Sequence, residues 1–281
     1  MSDPRGGSSE RKEAHVPRGT ALPFDASVPN VARIYNCWLG GKDNYAADRK
    51  VASEILEIAP DAMVTARENR RFLRRAVRFC AEETGIRQFI DIGTGLPTQG
   101  NVHEVAQGID EGSRVVYVDY DPVVVSHAQA LLADEKTVTA IRGDLRHSSD
   151  ILGHPNLRKF IDFSQPVAVL LIAVLHFISD HEDPYGNVRD LMKAMPPGSY
   201  LVISHATADF APDEVSSEVQ AIYESATAPI TPRTHAEVAD FFKAAGLELI
   251  EPGVVGIGDW HREWGSRPGR TIVYGGAGKK P

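Results

Sequence analysis

Two periods of apolar residues divide this chain. Up to about residue 82 the apolar positions recur at helical spacing, and from residue 87 they alternate or run together as strands separated by helices. In "NVARIYNCWLGG", Val31, Ile34, Tyr35 and Trp38 form one stripe, and Gly40-Gly41 supply a stop. A second helix is predicted from a cap at Asp43 or Asn44, carrying Ala47, Val51, Ile55 and Ile58 inward and ending at Pro60. A third runs from about Met63 to Glu82. On it Arg67, Arg70, Arg71, Arg74, Arg75 and Arg78 share one arc, opposite Phe72, Leu73, Ala76, Val77 and Cys80. Asn69 projects into the middle of the apolar arc, so it needs a partner, either in the core or on a ligand.

The strands read from the pattern are "RQFIDIG", "RVVYVDY", "TVTAIRG", "PVAVLLIAVL", "SYLVISHA", "LELIEPG" and "RTIVYGG". Helical stretches between most of them, among them "DPVVVSHAQALLAD", "PYGNVRDLMKAM" and "THAEVADFFKAAG", imply parallel βαβ units and a doubly wound α/β sheet. The unbroken run Val167 to Leu175 fits a central strand buried on both faces. Residues 1–22, rich in Gly, Ser, Pro and charge, are expected to be a disordered tail. Residues 23–82 then form a helical extension, and 83–281 the α/β domain.

A chain of 281 residues can bury a large core without staples. Cys37 and Cys80 form no CxxC and call for neither a disulfide nor a zinc site. The longest apolar run is too short to cross a membrane and no signal segment opens the sequence, so a cytoplasmic protein is expected. A net charge of -8 disfavours non-specific binding to nucleic acid or anionic lipid, and makes a solvated face the simpler use of the arginine arc. A small or neutral substrate is the expectation. The acids and histidine of "SDHEDP" read as a loop cap, and no metal site is expected.

Ligands of doubly wound sheets bind outside the carboxyl ends of the strands, near the switch point beside the first strand. There "FIDIGTGLPTQGN" gives DxGxG at Asp91, Gly93 and Gly95. The dinucleotide fingerprint would want glycine at Thr98, which weakens a nicotinamide or flavin reading. Asp119 ends the second strand 24 residues beyond Gly95, where an acid can accept from both ribose hydroxyls. Asp121 reads as a helix cap, and Asp144 ends the third strand, placed to accept from an exocyclic amine.

With these residues the chain resembles a class I S-adenosylmethionine-dependent methyltransferase over about residues 60 to 275. It is similar in particular to an actinobacterial subfamily first catalogued as a domain of unknown function, at "VARIYNCWLGGKDNYAADR", "DIGTGLPTQGNVHEVA" and "VLLIAVLHFISDHEDPYGNVRDLMKAMPPGSYLVISHAT". The resemblance implies a Rossmann-like sheet of seven strands, mostly parallel with the last antiparallel, binding S-adenosyl-L-methionine and releasing S-adenosyl-L-homocysteine. It places Gly93 and Gly95 beneath the methionine and ribose part of the cofactor, Asp119 at the ribose and Asp144 with the Leu145 amide at the adenine; Asp91, Thr94, Tyr120 and Ala173 are further expected cofactor-binding residues. It also implies that His176 stands where some relatives carry a general base, the alternative being a pocket-lining role. His205 is a weaker pocket candidate, and Trp260, His261 and Trp264 read as packing.

The pair Gly40-Gly41 followed by Lys42 suggests a phosphate loop, but Asn36 stands where a glycine is required, Asp43 follows the lysine, and a helix precedes it. The segment reads instead as a helix-stop-helix element over the cofactor cleft. Tyr35, Asn36, Lys42, Asp43 and Asn44 would be its polar edge, meeting the cofactor together with Asn69 and Arg70; the plain alternative is a capped turn. The expected activity is methyl transfer to a small molecule. A cofactor-binding protein without catalysis is the alternative, and a nucleotide-dependent oxidoreductase a weaker third.

Overall fold

The computed structural model describes residues 24–97, 100–131, 136–262 and 271–281. The expected tail, Thr98 and Trp264 lie outside the described residues. Three helices open the fold: α1 Val31–Trp38, α2 Ala46–Ile58 and α3 Ala62–Arg78, the last widening into a π-turn at Phe79–Glu83. Strands β1 Gln88–Ile92, β2 Arg114–Asp119 and β3 Val138–Arg142 follow, separated by α4 Val102–Gln107 and α5 Pro122–Leu131. After α6 Ser148–Gly153 and α7 Pro155–Phe160 come β4 Ala168–Ile172, α8 Pro184–Lys193 and β5 Tyr200–Ala206. The chain closes with α9 Asp213–Tyr223, α10 His235–Ala244, β6 Glu248–Leu249, β7 Val255–Gly256 and β8 Val273–Lys279.

Strand order is β3-β2-β1-β4-β5-β8-β6, with β7 pairing β8. Strands β1 to β5 are parallel and β8 runs antiparallel between β5 and β6. The seven expected strands are present. The eighth, β7, is two residues long and carries no alternation from which it could have been predicted. No helix among the described residues is long and apolar enough to cross a membrane.

The two-residue period of each strand splits the core. Ile90, Ile92, Val169, Leu171, Leu201 and Ile203 pack on one face with α8 and α10. Phe89, Val115, Leu170 and Val202 pack on the other against Phe72, Leu73, Ala76 and Val77 of α3. A third cluster joins Ile34, Trp38, Val51, Ile55 and Ala66 of the opening helices to Tyr223 of α9. Arg67, Arg71, Arg74 and Arg78 of the arginine arc are exposed, as expected of a solvated face. The other two tie loops to α3: Arg75 donates to the carbonyls of Ile257 and Trp260, and Arg70 to that of Gly100. Trp260 is fully buried, edge-on to Phe72 and Phe79, which makes it a packing residue.

Candidate functional site

The chain leaves β1 for β2 and β3 on one side and returns to β4 on the other, so a crevice opens at the carboxyl ends of β1 and β4. It is a cavity of about 1440 Å³, open solvent at its mouth included.

Its floor is the turn after β1. Gly93 and Gly95 have φ of +73° and +64°, values that L side chains rarely adopt. A Cβ on Gly93 would overlap Val174, and one on Gly95 would project toward Ala32 of α1, 4.0 Å away, so the cleft above the turn depends on bare backbone. The Gly95 amide donates to Oδ2 of Asp119 at 2.9 Å, and the Asp121 amide to Oδ1 at 2.9 Å. Asp91 accepts from the Thr94 hydroxyl at 3.1 Å. Burial pushes both Asp91 and Asp119 up to about 6, against the nearby Arg70 guanidinium in the first case and backbone amides in the second. Across the crevice, Ala173 leaves β4 at φ 55°, its amide held by Ser204.

The roof is α1 and α3. The Tyr35 hydroxyl donates to the Ala66 carbonyl and accepts from Nδ2 of Asn69 at 3.1 Å. Oδ1 of Asn69 and Nε of Arg70, one acceptor and one donor, are buried without partners among the described residues. Both side chains line the cavity, and because unpaired buried polar atoms are costly, the pair is a candidate ligand contact. The roof is tied to the floor by Asn30, whose Nδ2 donates to Asp121 at 2.7 Å and whose amide donates to Asp48 at 2.8 Å. Asp48 also accepts from Nε of Arg33 at 2.7 Å and from the Tyr45 amide, and thereby caps α2.

Beyond Ala173 the walls turn apolar, with Trp38, Ile55, Phe177, Tyr223, Ile230 and Ile272. His176 lines this end; its Nδ1 accepts the Ala206 amide at 3.2 Å, and among the described residues its Nε2 makes no hydrogen bond. Burial, then the neighbouring His205 and Arg233, hold the imidazole well below its usual range, so it is neutral.

The cavity wall thus contains Tyr35, Asn36, Asn69, Arg70, Asp91, Gly93, Thr94, Gly95, Asp119, Tyr120, Ala173 and His176 from the sequence reading. Others lie elsewhere. Lys42 and Asp43 are exposed and do not line the cavity; they follow the turn in which Gly40 has φ 76°. Asn44 donates to Oδ1 of Asn36 and to the Gly41 carbonyl, closing the turn and fixing Asn36 rather than reaching the cleft. Asp144 is outside the wall, its carboxylate engaged by Nε and Nη2 of Arg146, and Leu145 is a core residue. His205 is fully buried and accepts from Arg233, so it is a structural relay. The reading missed Asn30 and Asp48. Asn30, just before an apolar stripe, carried the signature of a cap; Asp48 looked like an ordinary first-turn acid. Among the described residues no cluster could hold a metal ion.

A family profile described as S-adenosyl methyltransferase matches residues 18–281. Among solved structures, a DUF574 family protein from Streptomyces avermitilis is 43% identical, the match covering 92% of this chain and 99% of that one with a TM-score of 0.86. A Thermobifida fusca protein described as a candidate methyltransferase is 39% identical over 90% of this chain and 96% of its own, with a TM-score of 0.83. An O-methyltransferase family protein from Burkholderia thailandensis, 16% identical over 80% and 61% with a TM-score of 0.50, shares the fold alone. No curated protein matches the sequence.

Proposed function

Because the chain belongs to the S-adenosyl methyltransferase family, and is thus an S-adenosylmethionine-dependent methyltransferase, we propose that it methylates a small, largely apolar molecule held in the far half of the cleft. One observation carries this reading. A single cavity has a polar end at Gly93, Gly95 and Asp119 and an apolar end at Trp38, Phe177, Tyr223 and Ile230. When bound, S-adenosylmethionine supplies a methyl group made electrophilic by its sulfonium. The protein's part is to align the acceptor and exclude water.

The residues fit that cofactor. The bare turn at Gly93 and Gly95 would pass beneath it and Asp119 would accept from the ribose hydroxyls. The orphaned pair suits the two ends of an amino acid: Asn69 Oδ1 would accept from the ammonium, and Arg70 Nε would donate to the carboxylate. Tyr120, beside Asp119 in the wall, would meet the adenine in place of Asp144. The family assignment gives the non-catalytic alternative no support.

Calorimetric titration at about pH 7.5 should show binding of both S-adenosylmethionine and S-adenosylhomocysteine; none at about millimolar ligand would overturn the reading. The same titrations should depend on pH. Ribose donors favour an ionised Asp119 and an ammonium nearby favours an ionised Asp91. With both held at about 6 in the free protein, affinity should be full above that value and weaken as pH falls through it, about tenfold per unit for each carboxylate. Stability of the free protein should move the other way. The two carboxyls ionise near 3.8 when unfolded, so the free protein loses stability as pH rises from there through about 6.

Asn69→Leu separates binding from folding. The gain from removing the unpaired Oδ1 offsets the loss of the Nδ2 bond to Tyr35, so the melting temperature of the free protein should change little, while S-adenosylhomocysteine binds about 5- to 100-fold more weakly. Equal binding by the variant would exclude Asn69 from the cofactor site.

A further inference from the structure

We propose that His176 meets the methyl acceptor as a fixed hydrogen-bond donor through Nε2–H, and that the acceptor site takes an acidic hydroxyl compound whose oxygen is already ionised. The inference rests on the methyltransferase reading of the cleft and adds the chemical class of its acceptor.

The proton on His176 is placed by its neighbour. A backbone N–H can only donate, so the Ala206 amide at 3.2 Å requires a bare Nδ1, and a neutral ring then carries its proton on Nε2. That nitrogen has no partner among the described residues, and the side chain lines the apolar end of the cavity. The groups facing the ring resist a second proton. His205 lies with its ring centroid 5.5 Å away, its Nε2 held by the Arg233 guanidinium at 2.9 Å. Arg233 is anchored in turn by the carbonyls of Leu175 and Ile178 and by Asp180, so its charge is fixed behind the pair. A base at this position would have to take up a proton on a nitrogen that already holds one.

Among the described residues, no other side chain of the apolar end replaces it. The carboxylates in the wall, Asp91, Asp119 and Asp121, belong to the polar end, and Asp121 is further engaged by Asn30 and by the Val123 amide. Tyr223, deep among apolar residues, has its hydroxyl pushed above its ordinary value by burial. Among the described residues, an acceptor that must lose a proton during attack therefore finds nothing to take it.

A donor with no base selects the nucleophile. A neutral amine has one lone pair, which an Nε2–H bond would occupy. An oxygen anion has a pair for the hydrogen bond and another for attack. Such an oxygen bonds to the methyl carbon as the carbon–sulfur bond breaks with its electron pair left on sulfur. Anion and sulfonium both become neutral and no proton moves. Apolar walls suit a step in which opposite charges vanish, and before it they strengthen the attraction that holds the two together.

The test uses the full chain labelled with 15N at histidine and glycine and saturated with sinefungin, an unreactive cofactor analogue with an ammonium where the sulfonium stands. Long-range proton–nitrogen spectra from about pH 5.5 to 8.5 should show His176, assigned by loss of its signals in His176→Gln, neutral and protonated on Nε2 throughout. A ring protonated on Nδ1, or one titrating in that range, would overturn the donor role. Nitrophenols and nitronaphthols should then shift the Nε2–H signal and their methyl ethers should not; no shift from any hydroxyl compound would overturn the acceptor class. Failure of sinefungin to move the Gly93 and Gly95 amides would instead count against the cofactor reading, whatever His176 does.

Discussion

Asp48→Ala is expected to lower the unfolding free energy by about 3 to 5 kcal/mol, the cost of leaving a buried charge without its partner. Asp48 is fully buried in α2 and receives Nε of Arg33 at 2.7 Å. Arg33 itself is 3% exposed, with the Phe24 and Tyr45 rings 5.0 and 5.3 Å from its guanidinium. Among the described residues its one other side-chain hydrogen bond is to the Val28 carbonyl, which offers no alternative anion. The substitution also frees the amides of Asn30 and Tyr45, the entries to α1 and α2. Urea denaturation at constant m-value is the measurement, and a loss below about 1 kcal/mol would mean that water reaches the pair. A double variant, Arg33→Met with Asp48→Leu, should recover the part due to charge but not the part due to the two unpaired amides. Cofactor affinity should fall as well, because Asn30 joins this pair to Asp121 in the cleft wall.

The contrast between Asp48 and Lys42 shows where the sequence stops being legible. Lys42 stood beside two glycines in a pattern associated with phosphates, yet it is exposed. Asp48 stood in an ordinary helical run, yet it is the charge around which the roof is built. Local spacing does report the backbone: the reversal at Gly40, the DxGxG turn and the individual strands depend on neighbours close in sequence. Burial of a polar group depends on residues far away. The Asn30–Asp121 contact spans 91 positions, and no periodicity encodes it. Asn69 was legible because it broke a pattern, as a polar residue inside an apolar arc. Asp144 kept a pattern, at the end of a strand like Asp119, but its neighbour Arg146 holds the carboxylate. The short helices α4, α6 and α7, six residues each, lack the two turns over which a period can be read.

His176 makes the same point in protonation. A histidine at the end of the fourth strand suggests a base as long as its surroundings are unknown. The direction of one backbone amide, Ala206, decides which nitrogen carries the proton, and that amide reaches it across 30 residues. Residue type gave the position and the hydrogen bond gives the role.

Asp119→Ala should weaken binding of S-adenosylmethionine by about 1 to 3 kcal/mol, or about 5- to 150-fold, the range for hydrogen bonds to a charged acceptor. Its two oxygens already receive the Gly95 and Asp121 amides, so the carboxylate has a structural task beside the proposed binding one. Losing it frees the Gly95 amide in the turn that would lie beneath the cofactor. In the free protein the effects on stability oppose one another: two amides lose their acceptor, but a carboxylate that burial has pushed up to about 6 no longer has to be ionised at neutral pH. Asp119→Asn is not a benign control, because its amide group would turn a second donor toward one of the two backbone donors. The pH dependence separates a direct ribose contact from a loosened turn. Below about pH 6 the wild-type affinity responds to two carboxylates and that of Asp119→Ala to Asp91 alone, so the limiting slope should fall by one proton, a factor of about ten per pH unit. A weaker but equally steep curve would make Asp119 a support for the turn, and an unchanged affinity would remove it from the site.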